Sequence, residues 1–456
     1  MRRRRTTVTA LLIVLPVLAL FCVTLRADDG ARSATITDSW ELGPTWSGCP
    51  LGAQMLTTRG WQYVAYYDAE RRMTVASRKL GADEWRTVTL PSRASWDSHL
   101  GFALAVDENG LVHLSGNMHC EPLVYFRTAE PFDITTFEPV HRMVGRQEES
   151  VTYEQFFRGP NGRLIFWYRT GSSGSGARIF NVWDPDEKSW SRLFDQPLFD
   201  GLGRMNAYPL GPKKGPEGNY HIVWMWRNTP DAATNHHISY VWTPDMEQWR
   251  TAGGRALELP ITPETEGVVV DPVPPREGLI NMGFSLGFDA HQRPVVSYHK
   301  YDEDGNSQIF NARWEGSEWQ VYRTSEWDYR WNFGGGGSIP CEVRAGPVTP
   351  LPGGNLCQSY SHSEYGGGRW ELDSDSLQPV GSCPREGFSI PGRIRGVRSD
   401  FPRMQVHLVG DGGDGAEQGV RYYLRWESLP RNRDRPREGP LPDPSPLTVY
   451  RLEETR

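Results

Sequence analysis

Histidine residues stand at both ends of one short apolar segment of this chain. The segment DSHLGFALAVDENGLVHLSGNMHC, residues 97–120, carries His99 near its start and His119 near its end. Its centre reads as two alternating strands joined by a D-E-N-G turn, which is typical of a β-hairpin. Because the strands of a hairpin are antiparallel, we expect the two histidines to meet at its open end.

Tyrosine and arginine take the same positions in the next segments. Tyr153 and Arg169 flank one turn-centred segment, and Tyr208 and Arg227 flank the one after it. If the segments are arranged alike, these side chains and the histidine pair share one rim of the fold. The candidates for substrate binding are the polar groups at or beside these positions: Asn117, Tyr208, Arg227 and Asn235.

These residue types suit β-elimination from a uronic acid. The C5 proton of a uronate is weakly acidic, so the neighbouring carboxylate must be neutralised, and a guanidinium matches it with two donors. We assign that role to Arg169 and the acid and base roles to His99, His119 and Tyr153, without deciding which group takes the proton.

A glycosidase with two carboxylates is the obvious alternative to a lyase. The acids beside the rim are Asp97, Glu121 and Glu154. Since neighbours on a strand point to opposite faces, we expect these acids to point away from the histidines and tyrosines. This expectation disfavours the paired-carboxylate mechanism.

The elements that position these residues repeat through the chain. A turn followed by an alternating strand recurs at intervals of roughly 50 to 75 residues, and many units end with a tryptophan near a polar turn, which we interpret as core packing. The pattern predicts an all-β fold: a single β-propeller over residues 28–456, with seven blades of four-stranded antiparallel sheets. Six or eight blades are the alternatives, and the regular spacing disfavours a sandwich.

The first 27 residues have the pattern of a targeting segment. A basic MRRRR start precedes a long apolar run, so residues 1–27 are predicted to be a signal peptide, with an uncleaved N-terminal anchor as the alternative. We therefore expect a secreted, periplasmic or cell-surface protein. One of the six cysteines lies in this segment, so at least one of the other five has no partner within the chain.

Several stretches resemble the BNR-repeat family that includes the ulvan lyases. They are residues 97–128, VTYEQFF, RLIFWYRTGSSGSG, MWRNTPDAATNHHISY and DYRWNFGGGGS, and the resemblance runs from about Tyr63 to the LRWESLPRNRDRPR tail. It implies a seven-bladed propeller that cleaves a sulfated rhamnose–uronate polysaccharide by β-elimination. The residues that match the family pattern are His99, His119, Tyr153, Arg169 and Tyr208. Leu100 departs from it, because the family commonly has asparagine after the first histidine.

The leading hypothesis is therefore an exported polysaccharide lyase that acts on an anionic, ulvan-like glycan and leaves an unsaturated uronate. A non-catalytic carbohydrate-binding propeller and a sialidase-like glycoside hydrolase are the alternatives, and the second is disfavoured because the chain has no S-x-D-x-G-x-x-W box. The competing interpretations of the rim are that the histidines are structural and that Arg169 forms an ion pair with Asp184 or another acid.

The expected partners are few. The formal net charge of −7 gives no reason to expect a nucleic acid partner, and we expect a monomer. We expect no required metal or cofactor, although a structural zinc or calcium ion is compatible with the sequence. The residues considered for a zinc site are the N-H-H segment at 235–237 together with His299, Cys341, Cys357 and His362.

Overall fold

The structure is a computed structural model that describes residues 32–384 and 388–454. The predicted signal peptide, residues 1–27, lies outside the described residues. β-strands make up most of the described chain, and its short helices are Ile134–Thr136, Pro160–Gly162 and Ala232–Thr234, all 3-10, and α1 (Gly392–Arg395). Across the described ranges, every helix is too short or too polar to span a bilayer.

The described strands form seven sheets. Sheet 1 contains β2 (Gln54–Thr58), β3 (Trp61–Tyr67), β4 (Arg72–Lys79) and β5 (Arg86–Arg93). Sheet 2 contains β6 (Phe102–Val106), β7 (Val112–Gly116), β9 (Tyr125–Thr128) and β10 (Phe137–Pro139). Sheet 3 contains β8 (His119–Glu121), β11 (Val151–Arg158), β12 (Leu164–Ser172), β13 (Ser175–Asp184), β14 (Ser189–Arg192) and β15 (Phe199–Asp200).

The remaining sheets follow in chain order, apart from β1. Sheet 4 contains β16 (Asn206–Lys214), β17 (Tyr220–Arg227), β18 (Asn235–Thr243) and β19 (Val269–Asp271). Sheet 5 contains β20 (Ser285–Phe288), β21 (Pro294–Tyr301), β22 (Ser307–Trp314) and β23 (Trp319–Arg323). Sheet 6 contains β24 (Val343–Pro350), β25 (Leu356–His362), β26 (Gly366–Leu372) and β27 (Pro379–Ser382). Sheet 7 contains β1 (Arg32–Thr45), β28 (Phe388–Ser389), β29 (Gln405–Gly410), β30 (Val420–Ser428) and β31 (Ser445–Glu454).

Neighbouring sheets contact one another along one side of each sheet. β6 contacts β2 and β11, β20 contacts β24, and β29 of sheet 7 contacts β2 of sheet 1. Successive, mainly antiparallel sheets that adjoin in this way make the propeller-like architecture expected from the turn spacing. The all-β, propeller-like prediction is confirmed; the seven sheets agree with seven blades, and that number stays a prediction.

The N-terminal strand completes the last sheet. β1 pairs antiparallel with β31, from Ala34 opposite Glu454 to Thr45 opposite Ser445. The two ends of the described chain are therefore held together by a backbone ladder of hydrogen bonds. The sequence repeat does not reveal this strand, because it lies far from the other strands of its sheet.

The hairpin between the histidines forms as expected, but the histidines lie outside it. β6 pairs with β7 from Phe102 opposite Gly116 to Val106 opposite Val112. His99 precedes β6 in a turn, and His119 begins β8, which joins sheet 3 by pairing with β11. The second histidine thus links the hairpin of one sheet to the first long strand of the next.

Alternation along the hairpin places its apolar side chains in the core. Leu104, Val106, Val112 and Leu114 are buried in one cluster with residues of sheet 1. The tryptophans near the polar turns behave similarly, since Trp190 and Trp249 are buried. Burial of this apolar surface is the main contribution that holds adjacent sheets together.

Leu114→Ala tests this packing. The side chain is fully buried, so its removal leaves a cavity and is expected to lower the free energy of unfolding by about 2–5 kcal/mol. Val321→Ala, on an exposed position of β23, is the control and is expected to change it by less than about 0.5 kcal/mol. Urea denaturation measures both, and equal effects would contradict the assignment of the hairpin to the core.

Candidate active site

The carboxylate of Asp97 lies between two histidine rings. Its Oδ1 is 2.7 Å from Nδ1 of His99, and its Oδ2 makes a short contact with Nδ1 of His119. The ring centroids of the two histidines are 4.5 Å apart. The histidines therefore meet, as the sequence predicts, and a shared acid fixes both rings.

A second acid reaches the same cluster from the other end of the chain. Asp434, in the segment between β30 and β31, places Oδ2 3.3 Å from Nδ1 of His99. Its oxygens also accept hydrogen bonds from the backbone N–H groups of Ser98 (3.0 Å) and Ser338 (2.8 Å). These contacts hold Asp434 over the turn that carries His99.

The two carboxylates change the protonation of His99. Burial alone lowers the pKa of this histidine, but its hydrogen bonds to Asp434 and Asp97 outweigh burial and raise the pKa to about 9. Burial alone likewise raises the pKa of the Asp97 carboxyl, yet the hydrogen bonds from His119 and His99 hold it well below its usual value. His99 is therefore an imidazolium ion at neutral pH.

The expectation that Asp97 points away from the histidines is wrong. Residues 97–101 form a turn before β6, so the alternation of a strand does not apply to them. The Asp97 carboxylate instead accepts a hydrogen bond from the backbone N–H of His99, in a local Asp-x-His turn. That spacing was a usable signal for Asp97, whereas nothing in the sequence pattern points to Asp434. Of the other two acids, Glu121 is exposed and Glu154 is buried, which raises the pKa of its carboxyl to about 8.

Tyr153 faces the histidine pair. Its ring centroid is 6.3 Å from that of His99 and 6.1 Å from that of His119. The residue has φ +57° and lies in a β-bulge of β11, so Arg169 pairs with Thr152 and not with Tyr153. The bulge turns Tyr153 toward the histidines.

Arg169 lies beneath Tyr153 and is completely buried. Its Cζ is 5.1 Å from the centre of the Tyr153 ring, and its side chain has no exposed surface. It donates hydrogen bonds to the Thr152 hydroxyl (2.8 Å), the Cys120 sulfur (3.1 Å) and the Tyr208 hydroxyl (3.4 Å). Because Arg169 has no exposed surface, the structure gives it no direct access to a substrate carboxylate, the role predicted from the sequence.

Tyr208 accepts hydrogen bonds from arginines of two sheets. Its hydroxyl accepts hydrogen bonds from Arg169 and from Arg227 (3.3 Å), and lies 2.7 Å from the Ser173 hydroxyl. Its ring centroid is 6.1 Å from that of Tyr153. Burial raises the pKa of Tyr208, but the charges of Arg227 and Arg169 outweigh burial and lower it.

The neighbouring tyrosine titrates differently. Burial and the proximity of Tyr208 raise the pKa of Tyr153 to about 12, against the opposing charge of Arg169. Tyr153 therefore keeps its proton at neutral pH, whereas the oxygen of Tyr208 lies in a strongly positive environment. The two hydroxyl groups are not equivalent.

A further buried arginine, which the sequence analysis missed, strengthens this positive environment. Arg178 is paired with Arg169 across β12 and β13, and its Nη1 is 3.5 Å from the backbone oxygen of Tyr153. Burial, and then repulsion by Arg169, lowers the pKa of Arg178 to about 9. In the described part of the chain, no carboxylate lies within ion-pair distance of Arg169, Arg178 or Arg227. The predicted alternative, an ion pair between Arg169 and Asp184, therefore does not form.

Two of the predicted substrate-binding residues do not face the cluster. Asn235 is fully buried, accepts a hydrogen bond from Nε of Arg227 (3.0 Å) and donates one to the Ala232 oxygen (2.7 Å). Asn117 donates to the Ser92 hydroxyl (2.8 Å) at the edge of sheet 1. Both amides therefore position other groups, while Tyr208 and Arg227 belong to the cluster. The binding and catalytic roles themselves stay predictions.

The zinc ligands considered from the sequence do not come together. Cys357 forms a disulfide with Cys383, and His236 and His237 hydrogen bond to each other through their Nδ1 atoms. Among the described residues, one group of three has donor atoms close enough for a metal, namely Asp97, His99 and His119, within 4.8 Å of one another. Both Nδ1 atoms there are already hydrogen bonded to Asp97. The expectation that no metal is required stays a prediction.

The comparisons with known proteins identify the family. A sequence model of the BNR repeat-containing family matches residues 61–327, more than half of the chain. The chain therefore belongs to this family. No curated protein matches the chain.

Solved structures with the same fold include polysaccharide lyases. The polysaccharide lyase Uly1 is 13% identical, with a TM-score of 0.61 over 92% of this chain and all of its own. A PL25 ulvan lyase is 15% identical, with a TM-score of 0.57 over 91% of this chain and 95% of its own, and the same values hold for its complex with -[GlcA(1-4)Rha3S]-. At these identities the similarity establishes the fold.

Asp434→Asn tests the electrostatics of the cluster. The amide retains the size of the side chain but loses its charge, so the pKa of His99 should fall from about 9 toward its ordinary value of about 6.5. In the unaltered protein, the stabilisation from His99 is complete below pH of about 6.5 and is lost as the pH rises through about 9. NMR titration of isotope-labelled histidine measures the pKa.

The control for this titration is Asp304→Asn, at an exposed acid in the turn between β21 and β22. In this control variant, the pKa of His99 should equal that in the unaltered protein. A His99 pKa near 9 in both variants would show that Asp434 does not stabilise the imidazolium.

Proposed function

We propose that the protein is a polysaccharide lyase that cleaves an anionic, uronate-containing glycan by β-elimination. The observation that carries this proposal is the pairing of a carboxylate-held imidazolium with two tyrosines that lie on buried guanidinium groups. An elimination needs a cation for the uronate carboxylate, a base for the C5 proton and an acid for the departing O4. The cluster offers one group for each task.

The cation is His99 in this assignment. Its Nδ1 is hydrogen bonded to Asp97 and Asp434, so the proton on Nε2 is left for a substrate carboxylate. An imidazolium beside the carboxylate stabilises the enolate-like intermediate that forms when C5 loses its proton. His99 thus replaces Arg169 in the role that the sequence analysis gave to the guanidinium.

The base and the acid are His119 and Tyr153. Because Nδ1 of His119 is hydrogen bonded to Asp97, its Nε2 is the ring atom left to take the C5 proton. Tyr153 keeps its proton at neutral pH and donates it to O4 as the C4–O4 bond breaks. Arg169 and Arg227 then stabilise the negative charge that develops on the Tyr153 oxygen, so they act as positioning and electrostatic groups.

The polymer is expected to be ulvan-like and sulfated, and the protein to be exported through its N-terminal segment and to act as a monomer. The family and the fold support the expectation of an ulvan-like polymer, because two solved structures with a similar fold are an ulvan lyase and a polysaccharide lyase. The basic and apolar composition of residues 1–27 supports the expectation of export.

Two substitutions test the assigned chemistry. His99→Ala and Tyr153→Phe should each reduce the ultraviolet-absorbing unsaturated product from ulvan by about two orders of magnitude or more. Both side chains are partly exposed, so thermal unfolding should change little. Full activity in both variants would remove these residues from the mechanism, and absence of product from the unaltered protein on every uronate polymer would favour a binding function.

Arg169→Lys tests the buried guanidinium. Lysine keeps the charge but cannot reach Thr152, Cys120 and Tyr208 together, so kcat should fall more than about tenfold. Because Arg169 does not touch the substrate in this assignment, KM should change less than about threefold. A raised KM with an unchanged kcat would instead indicate direct contact with the substrate. Arg86→Lys, on the exposed end of β5, is the control.

A further inference from the structure

A cavity of about 660 Å³ lies beside the histidine–tyrosine cluster, and none of the residues assigned above to the chemistry lines it. Leu210 on β16, Arg344 on β24 and His407 on β29 contribute to its wall, together with Asn281 before β20 and Arg431 after β30. β16 and β24 are the first strands of sheets 4 and 6, and β29 is the edge strand of sheet 7 that contacts β2. The cavity therefore lies on the central axis, where the inner strands of the propeller face one another.

The charged residues in this wall are all basic. Arg344 and Arg431 are exposed in the cavity, and its lining residues include no aspartate or glutamate. His407 is hydrogen bonded to Ser428, and burial, assisted by the charge of Arg431, lowers the pKa of the imidazole to about 4, so it is neutral at pH 7. The positive charge of the cavity thus comes from the two guanidinium groups.

The acids close in sequence to these two arginines already have partners. Glu342, two residues before Arg344, accepts a hydrogen bond from the Tyr329 hydroxyl. Asp434, three residues after Arg431, is bound by His99 and Ser98. In a chain with a formal net charge of −7, two arginines without an acid in the same cavity wall form a local site for an anion.

The cavity is continuous with the candidate active site. Asn281 lines it and accepts a hydrogen bond from Arg227, which in turn donates to Tyr208. Leu210 lies two residues beyond Tyr208 on β16, so the two side chains share a face of the strand about 7 Å apart. A polymer with one sugar at the tyrosines can therefore place a neighbouring sugar at this cavity.

We propose that the cavity is an anionic subsite, in which Arg344 and Arg431 bind a sulfate ester or carboxylate of the sugar next to the one being cleaved. Half-exposed Leu210 offers apolar contact to the ring of that sugar. This inference rests on the proposed function, and it names two residues through which the protein would prefer a polyanionic polysaccharide. A guanidinium pair binds either oxyanion with charge-assisted hydrogen bonds.

Binding measurements test the subsite separately from catalysis. In a Tyr153→Phe background, Arg344→Gln and Arg431→Gln should each weaken the binding of ulvan, measured by calorimetry, by at least about tenfold. Arg86→Gln, on the exposed edge of sheet 1, is the matched control and should bind as the background does. Equal melting temperatures check that the variants are folded, and added salt should weaken the binding of the background.

Desulfated ulvan identifies the bound group. The subsite holds a sulfate ester if the Tyr153→Phe protein binds desulfated ulvan as weakly as the arginine variants bind ulvan. If the arginine variants also weaken the binding of the desulfated polymer, the subsite holds a carboxylate. Both results support the inference. The inference would be overturned if both arginine variants bound both polymers within twofold of the background. It would also be overturned if the background itself did not bind ulvan.

The two proposals fail differently. If the unaltered protein forms product and the arginine variants bind ulvan normally, the subsite is wrong and the lyase proposal stands. If the variants lose ulvan binding but the unaltered protein forms no product from any uronate polymer, the subsite stands and the lyase proposal is wrong.

Discussion

Three guanidinium groups are buried around two tyrosines without a carboxylate of the described residues within ion-pair distance, and the candidate site depends on this positive charge. Burying an unpaired ion costs several kcal/mol, so the fold must compensate through other contacts. Arg169 and Arg227 lie against the faces of Tyr153 and Tyr208, and hydroxyl, sulfur and amide acceptors take their hydrogen bonds. The charge that remains favours negative charge on the tyrosine oxygens, which is where an elimination would develop it.

The acids lie on the opposite side of the site, where they hold the histidines. Asp97 comes from the turn before β6, and Asp434 comes from the segment just before the final strand β31. Since β31 pairs with β1, the position of Asp434 depends on the closure of the last sheet by the N-terminal strand. The electrostatics of His99 are therefore linked to the completion of the whole fold.

The sequence predicted the architecture and the central residues of the site because both follow local rules. Alternation and turn chemistry predicted the hairpins, and their spacing predicted the propeller-like fold. The same pattern predicted that His99, His119, Tyr153 and Tyr208 lie near one another, although the structure places His119 on a strand of the next sheet. Apart from Asp97, which lies in a local turn and not in a strand, the errors arose where a contact is not local. Asp434 lies far from His99 in sequence, the bulge at Tyr153 changes its pairing, and the complete burial of Arg169 depends on the tyrosines above it. Such features depend on tertiary packing, which no periodicity encodes.

The mass of the oligosaccharides released from ulvan tests the central claim most directly. Elimination breaks the C4–O4 bond without adding water, so the fragments of each cleavage should together have the mass of the parent chain and carry one unsaturated uronate. Hydrolysis by paired acids or by a sialidase-like site adds one water at each cleavage. Mass spectrometry distinguishes the two: fragments without added water would agree with the histidine–tyrosine mechanism, and fragments heavier by one water would contradict it.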